Sequence, residues 1–176
     1  LGGSAATLMN GKIFNRNFNF APDGTELDFY DKTHLFACDL SSDPSKKIID
    51  EGVIFSAGNE LKMLKIKEFN FGLAICFDLR FPEMFREYYK RGANVLTISA
   101  AFTVPTGKAH WHVLQRARAI ENQSYVIASG QWGTHNDKVK TYGHSLIIDP
   151  WGEVLADAGE GEKIIFAELS MERIKE

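Results

Sequence analysis

The apolar run Phe71-Gly-Leu-Ala-Ile-Cys76 ends on a thiol and is followed at once by Phe77-Asp-Leu-Arg-Phe-Pro-Glu83. A buried strand that delivers a cysteine to a sharp exit, just ahead of a helix opening on Pro82-Glu83, presents a nucleophile in the crevice at the strand's carboxyl end. A cysteine in such a strand also packs well as a small hydrophobe. The chemistry therefore has to be read together with the residues that would serve it. A thiol ionises only near pH 8.5, roughly, so at neutral pH it needs a nearby cation or base. Lys32, in Tyr30-Asp-Lys32-Thr-His-Leu-Phe36, ends a strand just before the apolar Leu35-Phe36, where the segment turns inward. Glu51 stands in Asp50-Glu51-Gly52, ahead of Phe55-Ser-Ala-Gly58. Ser99-Ala-Ala-Phe-Thr103 leaves the strand that follows the cysteine's helix, so Ala101, Phe102 and Thr103 would line the same crevice.

Other residues of chemical type read as scaffold. His110 and His112 occupy alternate positions, which do not share a helix face and cannot form the two-histidine zinc motif. His34 and His144 read as hydrogen-bonded scaffold groups, Arg80 and Glu83 as pairing or capping residues, and Trp111 and Trp151 as packing residues. Cys38 sits in a polar loop and is given no role. Gly159-Glu-Gly161 is a turn, and Cys76 to Arg80 lacks the spacing of a thiol-phosphatase cradle. No metal and no cofactor is expected.

The elements that must position these residues follow from the pattern. Asn15 to Phe20 alternates polar with apolar, turns at Pro22-Asp-Gly24, and continues through Leu27, Phe29 and Asp31, predicting a hairpin with one buried face. Residues 37–60 read as loop, with an apolar interlude at Val53-Ile-Phe55. Leu64 and Ile66 alternate with Lys65 and Lys67 in a half-exposed strand ahead of the apolar 71–76. Met84, Phe85, Tyr88 and Tyr89 predict a helix from Phe81 to Arg91, stopped by Gly92. Ala93 to Ala100 predicts a strand, and Lys108 to Asn122 a helix with Val113, Ala117 and Ile120 on its core stripe. Ser124 to Ser129 is a strand, Gly130 to Thr141 a loop, and Ser145 to Ile148 a strand. Pro150-Trp-Gly152 is a turn, with two further strands near Val154-Leu155 and Lys163 to Phe166. Strand–helix alternation flanked by hairpins predicts a layered α/β fold with a mixed sheet.

The 176 residues, 44% hydrophobic and 24% charged, have the composition of one soluble domain with a sizeable core. A net charge of -3, with Lys46-Lys47 and Lys138 to Lys140 as short surface pairs, gives no case for nucleic acid or an anionic membrane. No apolar stretch reaches membrane length. Two cysteines without zinc spacing fit a reduced, cytoplasmic setting. Leu1-Gly-Gly-Ser4 opens without methionine, and Ser170 caps a helix that soon stops, so the chain is expected to be part of a longer one.

Lys32-Thr-His-Leu-Phe36, Ile75-Cys-Phe-Asp-Leu-Arg-Phe-Pro-Glu83, Gly107-Lys-Ala-His-Trp111, Arg116-Ala-Arg-Ala-Ile-Glu-Asn122 and Tyr142-Gly-His-Ser145 with Asp149-Pro-Trp-Gly152 together resemble the nitrilase superfamily of carbon–nitrogen hydrolases. The resemblance runs through the chain in order and is nearest to the omega-amidase and Nit-type amidase branches. It implies an α/β fold, a four-layer αββα sandwich with mixed sheets, forming one domain over 1–176 that lacks the first strand and helix and the C-terminal tail. It implies dimers, or higher homo-oligomers, built through the outer helices. It also implies an amidohydrolase that opens a small, linear, carboxylate-bearing amide through a cysteine thioester. Cys76 matches the nucleophile, Lys32 the catalytic lysine and Glu51 its supporting glutamate, while Phe77 would give a backbone N–H to the oxyanion. The family's general-base glutamate lies upstream of the block matched by Gly2-Gly-Ser4. Glu26, in the hairpin turn, does not match it, so the base is expected outside this chain. A catalytically incomplete module acting in binding or assembly is the alternative.

Overall fold

The computed structural model describes residues 3–38, 49–136 and 139–176. They belong to two compact units, Leu1–Lys62 and Met63–Glu176. The loop expected over Asp39 to Pro44, the pair Lys46-Lys47, and Gly2 and Lys138 lie outside the described residues. No helix among the described residues is long and apolar enough to cross a membrane.

In the first unit, β1 (Ser4–Met9) and β2 (Lys12–Asn17) pair antiparallel from Ser4↔Asn17 to Met9↔Lys12. Their two-residue turn is Asn10-Gly11, with φ of 51° and 76°. Positive φ at both positions matches the right-handed twist of the flanking strands, and asparagine and glycine are the residues that adopt it cheaply. This hairpin was not among the elements expected from the sequence. The second turn was: Gly24 donates its N–H to the Ala21 carbonyl at 2.9 Å, and Phe20 bridges Glu26 across it. Beyond it, β3 (Tyr30–Asp31) pairs with β2.

The buried face of this segment reverses the expectation. Asn17 and Asn19 are buried, whereas Phe20 is 48% exposed. Arg16 and the Asn19 amide N–H take the inside because each finds a partner there. Buried Arg16 forks onto Asp31 through two N–H groups at 2.7 and 2.8 Å and lies 3.5 Å from the Phe29 ring centre. The hydrogen bond and charge of Asp31 raise the guanidinium above its usual pKa, against the opposing effect of burial. Asn19 donates its amide to the Asp28 carbonyl at 2.9 Å. A forked, charge-assisted pair of this kind fixes strand register as well as adding stability. The unit closes with a short antiparallel pair, β4 (Ala37–Cys38) and β5 (Ile49–Asp50), which leads into one tight helical turn at Glu51–Val53. Val53 and Ile54, expected as an apolar interlude, are 81% and 63% exposed.

The second unit is built on a six-stranded sheet. β6 (Met63–Ile66) turns back antiparallel into β7 (Phe69–Ile75), which runs to α1 (Pro82–Lys90) and then to β8 (Val95–Ala100). After β8 come a short turn of helix, α2 (Val104–Thr106), a π-helical turn at Gly107–Trp111, and α3 (His112–Glu121). β9 (Tyr125–Gly130) lies parallel to β8, as β8 does to β7. A small hairpin, β10 (Trp132–Thr134) and β11 (Lys140–Tyr142), occupies part of the expected Gly130–Thr141 loop. β12 (Leu146–Ile148) and β13 (Val154–Asp157) extend the sheet antiparallel, giving the order β13-β12-β9-β8-β7-β6. α4 (Met171–Lys175) follows, its Ser170 cap accepting the Arg173 N–H at 3.1 Å.

The parallel strands are buried on both faces, as Leu73, Ala74, Ile75, Val95, Leu96, Ile98, Val126 and Ala128 show. Covering a leucine- or isoleucine-sized side chain contributes about 1.5–3 kcal/mol. These central strands are therefore the rigid part of the unit. Two expectations fail here. The core face of α3 carries Gln115, Arg118 and Ala119, while Val113 and Ile120 are 61% and 50% exposed. Lys163 to Phe166 pairs with no strand among the described residues, and Ile164 and Phe166 are 82% and 83% exposed. Trp111 is fully buried as expected, but Trp151 is 61% exposed.

Candidate active site

In the first unit the backbone of Lys32 is held from both sides. Its N–H donates to the Asn15 carbonyl at 2.9 Å, and its carbonyl accepts the Gly58 N–H at 2.9 Å. Gly58 allows this approach, since a Cβ there would lie 2.3 Å from the Asp31 carbonyl oxygen. The lysine side chain is only 1% exposed, and its Nζ donates to Glu51 Oε2 at 2.5 Å. That same carboxylate oxygen accepts the Phe36 N–H at 2.8 Å, while the Glu51 N–H returns to the Phe36 carbonyl at 2.8 Å. Asp50 fixes the turn by accepting the Gly52 N–H at 2.7 Å. Glu51 is thereby aimed by backbone contacts, and it closes an ion pair with the buried Lys32 side chain. His34 is hydrogen-bonded to Thr33, in keeping with a scaffold role.

In the second unit, β7 ends at Ile75 and the chain breaks at once into a tight helical turn over Cys76–Arg80. Cys76 has φ of 50°. A non-glycine residue held in the left-handed region costs on the order of 1–3 kcal/mol and persists only where its surroundings over-determine it. They do so here. Buried Asp78 reaches back to accept the Ile75 N–H at 2.8 Å. Buried Arg118, on α3, donates twice to the Leu79 carbonyl, at 3.1 and 2.7 Å, and once to Glu121 at 2.8 Å. The turn is clamped at its start by its own carboxylate and near its end by the guanidinium of a neighbouring helix. Sequence reasoning gave neither residue this part, because an acid and an arginine inside such motifs read equally well as surface groups.

The parallel register pairs Ile75 with Ser99, which sets Cys76 and the residues after Ala100 at the same carboxyl end of the sheet. Phe102 is buried against Trp111 with ring centres 5.0 Å apart, and its carbonyl accepts the Tyr142 N–H at 2.9 Å. Thr103 bridges Thr141 and shares a hydroxyl contact with Thr106 at 2.9 Å. Ala101 and Thr103 are exposed, and Phe77 packs edge-on against Phe81. Arg80 contacts His110 at 3.1 Å, the pairing expected of it. Both cysteines are thiols outside any disulfide. Glu26 is exposed in the hairpin turn.

Residues 2–176 match the profile of the carbon-nitrogen hydrolases. The chain belongs to this family. Among carbon-nitrogen hydrolases, it is 45% identical over 168 residues to the deaminated glutathione amidase of Synechocystis sp., covering 94% of this chain and 61% of that protein. It is 38% identical over 176 residues to omega-amidase NIT2 of Homo sapiens, covering all of this chain and 63% of that protein. The chain thus spans about three fifths of the length of these relatives. Saccharomyces cerevisiae Nit3, a member of branch 10 of the nitrilase superfamily, superposes with a TM-score of 0.87 at 36% identity, over 99% of this chain and 60% of that one. The Caenorhabditis elegans NitFhit protein does so with 0.86 at 41% identity, over 93% of this chain and 39% of that one. The mixed α/β architecture is therefore that of the nitrilase superfamily, as expected from the sequence.

Proposed function

We propose that the protein is an amidase that hydrolyses a small, linear, carboxylate-bearing amide to the acid and ammonia through a thioester on Cys76. The observation that carries this reading is the Cys76 turn. Its left-handed backbone is held by Asp78 and Arg118, which is how a rigid scaffold presents a nucleophile rather than packs a hydrophobe. The buried Lys32–Glu51 pair supports it, because that lysine is aimed by a glutamate tied to the backbone.

In the proposed reaction the Cys76 thiolate adds to the amide carbonyl. Lys32 and the backbone N–H of Phe77 donate to the resulting oxyanion. The C–N bond then breaks, and ammonia leaves with the proton that came from the thiol. Water adds to the thioester, releases the acid and returns the thiol. A glutamate acts as general base in both halves. The resemblance puts it ahead of Gly2-Gly-Ser4, and the exposure of Glu26 supports that assignment. Ala101, Phe102 and Thr103 line the substrate side, and the reaction uses no metal or cofactor. The relatives' names, an omega-amidase and a deaminated glutathione amidase, support the substrate class. One family profile across both units supports a single catalytic domain of the sandwich type. A cytoplasmic homo-oligomer is part of the same reading, favoured by the reduced thiols and the exposed apolar face of α3.

The test is ammonia release from dicarboxylate monoamides by the intact protein and by Cys76→Ala. The reading predicts turnover that the substitution abolishes with little change in melting temperature. Unchanged turnover in Cys76→Ala would overturn it.

A further inference from the structure

Three side chains given no part in amide hydrolysis converge from separate elements. His112 opens α3, His144 precedes β12, and Asp157 ends β13. Asp157 Oδ2 lies 3.0 Å from His112 Nε2 and 3.1 Å from His144 Nδ1, and Oδ1 lies 3.0 Å from His144 Nδ1. One ligand atom from each lies within 4.8 Å of the others. We propose that His112, His144 and Asp157 form a binding site for a divalent transition-metal cation, with zinc the best match.

The donor set selects the class of ion. Two imidazole nitrogens and one carboxylate oxygen suit zinc, whereas magnesium and calcium prefer all-oxygen shells. Tetrahedral bonds of about 2.0–2.1 Å put neighbouring donors roughly 3.3 Å apart. The carboxylate–imidazole separations are 3.0–3.1 Å and all three ligand atoms lie within 4.8 Å of one another, so a cation enters as the carboxylate moves outward and the two imidazole nitrogens draw together around it.

The rings are also fixed in advance. Tyr142 stacks on His144 at 4.3 Å and 20°, and the His112 and His144 rings meet edge to face at 5.2 Å. The carboxylate is oriented by the Gly159 N–H, which donates to Oδ1 at 2.7 Å. Of the three, His144 also lines a cavity of about 300 Å³ with Gly159, Gly161, Glu162 and Lys163. Lys163 and Glu162, of opposite charge, both line that cavity.

Without a metal, Asp157 accepts hydrogen bonds from the two imidazoles. With one, those bonds are exchanged for three bonds to the ion, and the donors must give up any proton they hold. The ion would tie the start of α3 to the edge of the sheet, and it stabilises the fold by mass action.

Zinc titration by calorimetry tests this on the intact protein carrying Cys38→Ser and Cys76→Ser, so that no thiol competes. The expected result is one zinc per chain at this site, bound at least about tenfold more weakly after His112→Gln or Asp157→Asn. Side-chain nitrogen resonances, recorded with all three ligands in place, should shift at Nε2 of His112 and Nδ1 of His144 on zinc addition. Those of His34 and His135 should not. Failure to bind zinc, an unchanged affinity in His112→Gln, or shifts confined to other histidines would overturn the site.

Discussion

Lys32 carries its charge into a position only 1% exposed, and Glu51 is what makes this tolerable. Removing one partner of a buried pair costs about 3–5 kcal/mol when both are dry, and less here because Glu51 is 26% exposed. Glu51→Gln should therefore lower the melting temperature modestly. It should lower kcat much more, since it removes the charge that keeps the ammonium aimed. Equal losses of stability and rate, or no loss of rate, would leave the pair a structural one. Lys32→Ala should reduce kcat by about 100-fold or more, the scale of a lost oxyanion donor. Lys32→Arg should not rescue it, because a longer, forked guanidinium cannot occupy the ammonium's place beside Glu51.

The turn after β7 makes a claim about positioning. If Arg118 acts by holding the Leu79 carbonyl, Arg118→Lys, which loses the forked donation, should reduce kcat about tenfold while leaving KM nearly unchanged. An equal effect on both constants would mean that the arginine merely supports the fold. Backbone approach gives a second contrast. Gly58→Ala sets a methyl 2.3 Å from a backbone oxygen and should cost about 1–3 kcal/mol together with activity. Gly11→Ala meets nothing within 4 Å and should cost only about 1 kcal/mol, from positive φ alone. Thermal melts of the two variants decide it.

The same elements show why some of the architecture was readable and some was not. β7, α1, β8 and β9 announce themselves because their apolar runs and helical spacing coincide with burial on the sheet. α3 was legible as a helix but not in its facing, because its inward face is polar: Arg118 is buried to hold a carbonyl, and a hydrophobicity stripe then points outward to Val113 and Ile120. Phe20 misleads for the same reason: Arg16 and the Asn19 amide N–H find partners inside, although the buried Asn19 Oδ1 accepts no hydrogen bond among the described residues. Lys163 to Phe166 alternates like a strand, yet a strand also needs a neighbour. Cys76 stood out by type and context, whereas Lys32 and Glu51 were singled out by the family resemblance, since a strand-end lysine and a loop glutamate read equally well as solvated groups. Asp78, which accepts the N–H of Ile75 three residues earlier in the chain, becomes visible only once the turn is built.

For the whole molecule, the exposed Val113 and Ile120 lie on one helix, the type of surface that the resemblance assigns to contacts between copies. Val113→Glu combined with Ile120→Glu should lower the sedimenting mass of the intact protein while leaving its far-ultraviolet dichroism unchanged. An unchanged mass would contradict a contact between copies through this face. The most direct measurement concerns the covalent intermediate. The intact protein is mixed with a dicarboxylate monoamide, quenched in acid within the first turnovers, and its peptides are mapped by mass. The account predicts an acyl adduct on the Cys76 peptide that is absent from Cys76→Ala and from the peptide containing Cys38. An adduct on Cys38, or ammonia release with Cys76 never acylated, would contradict it.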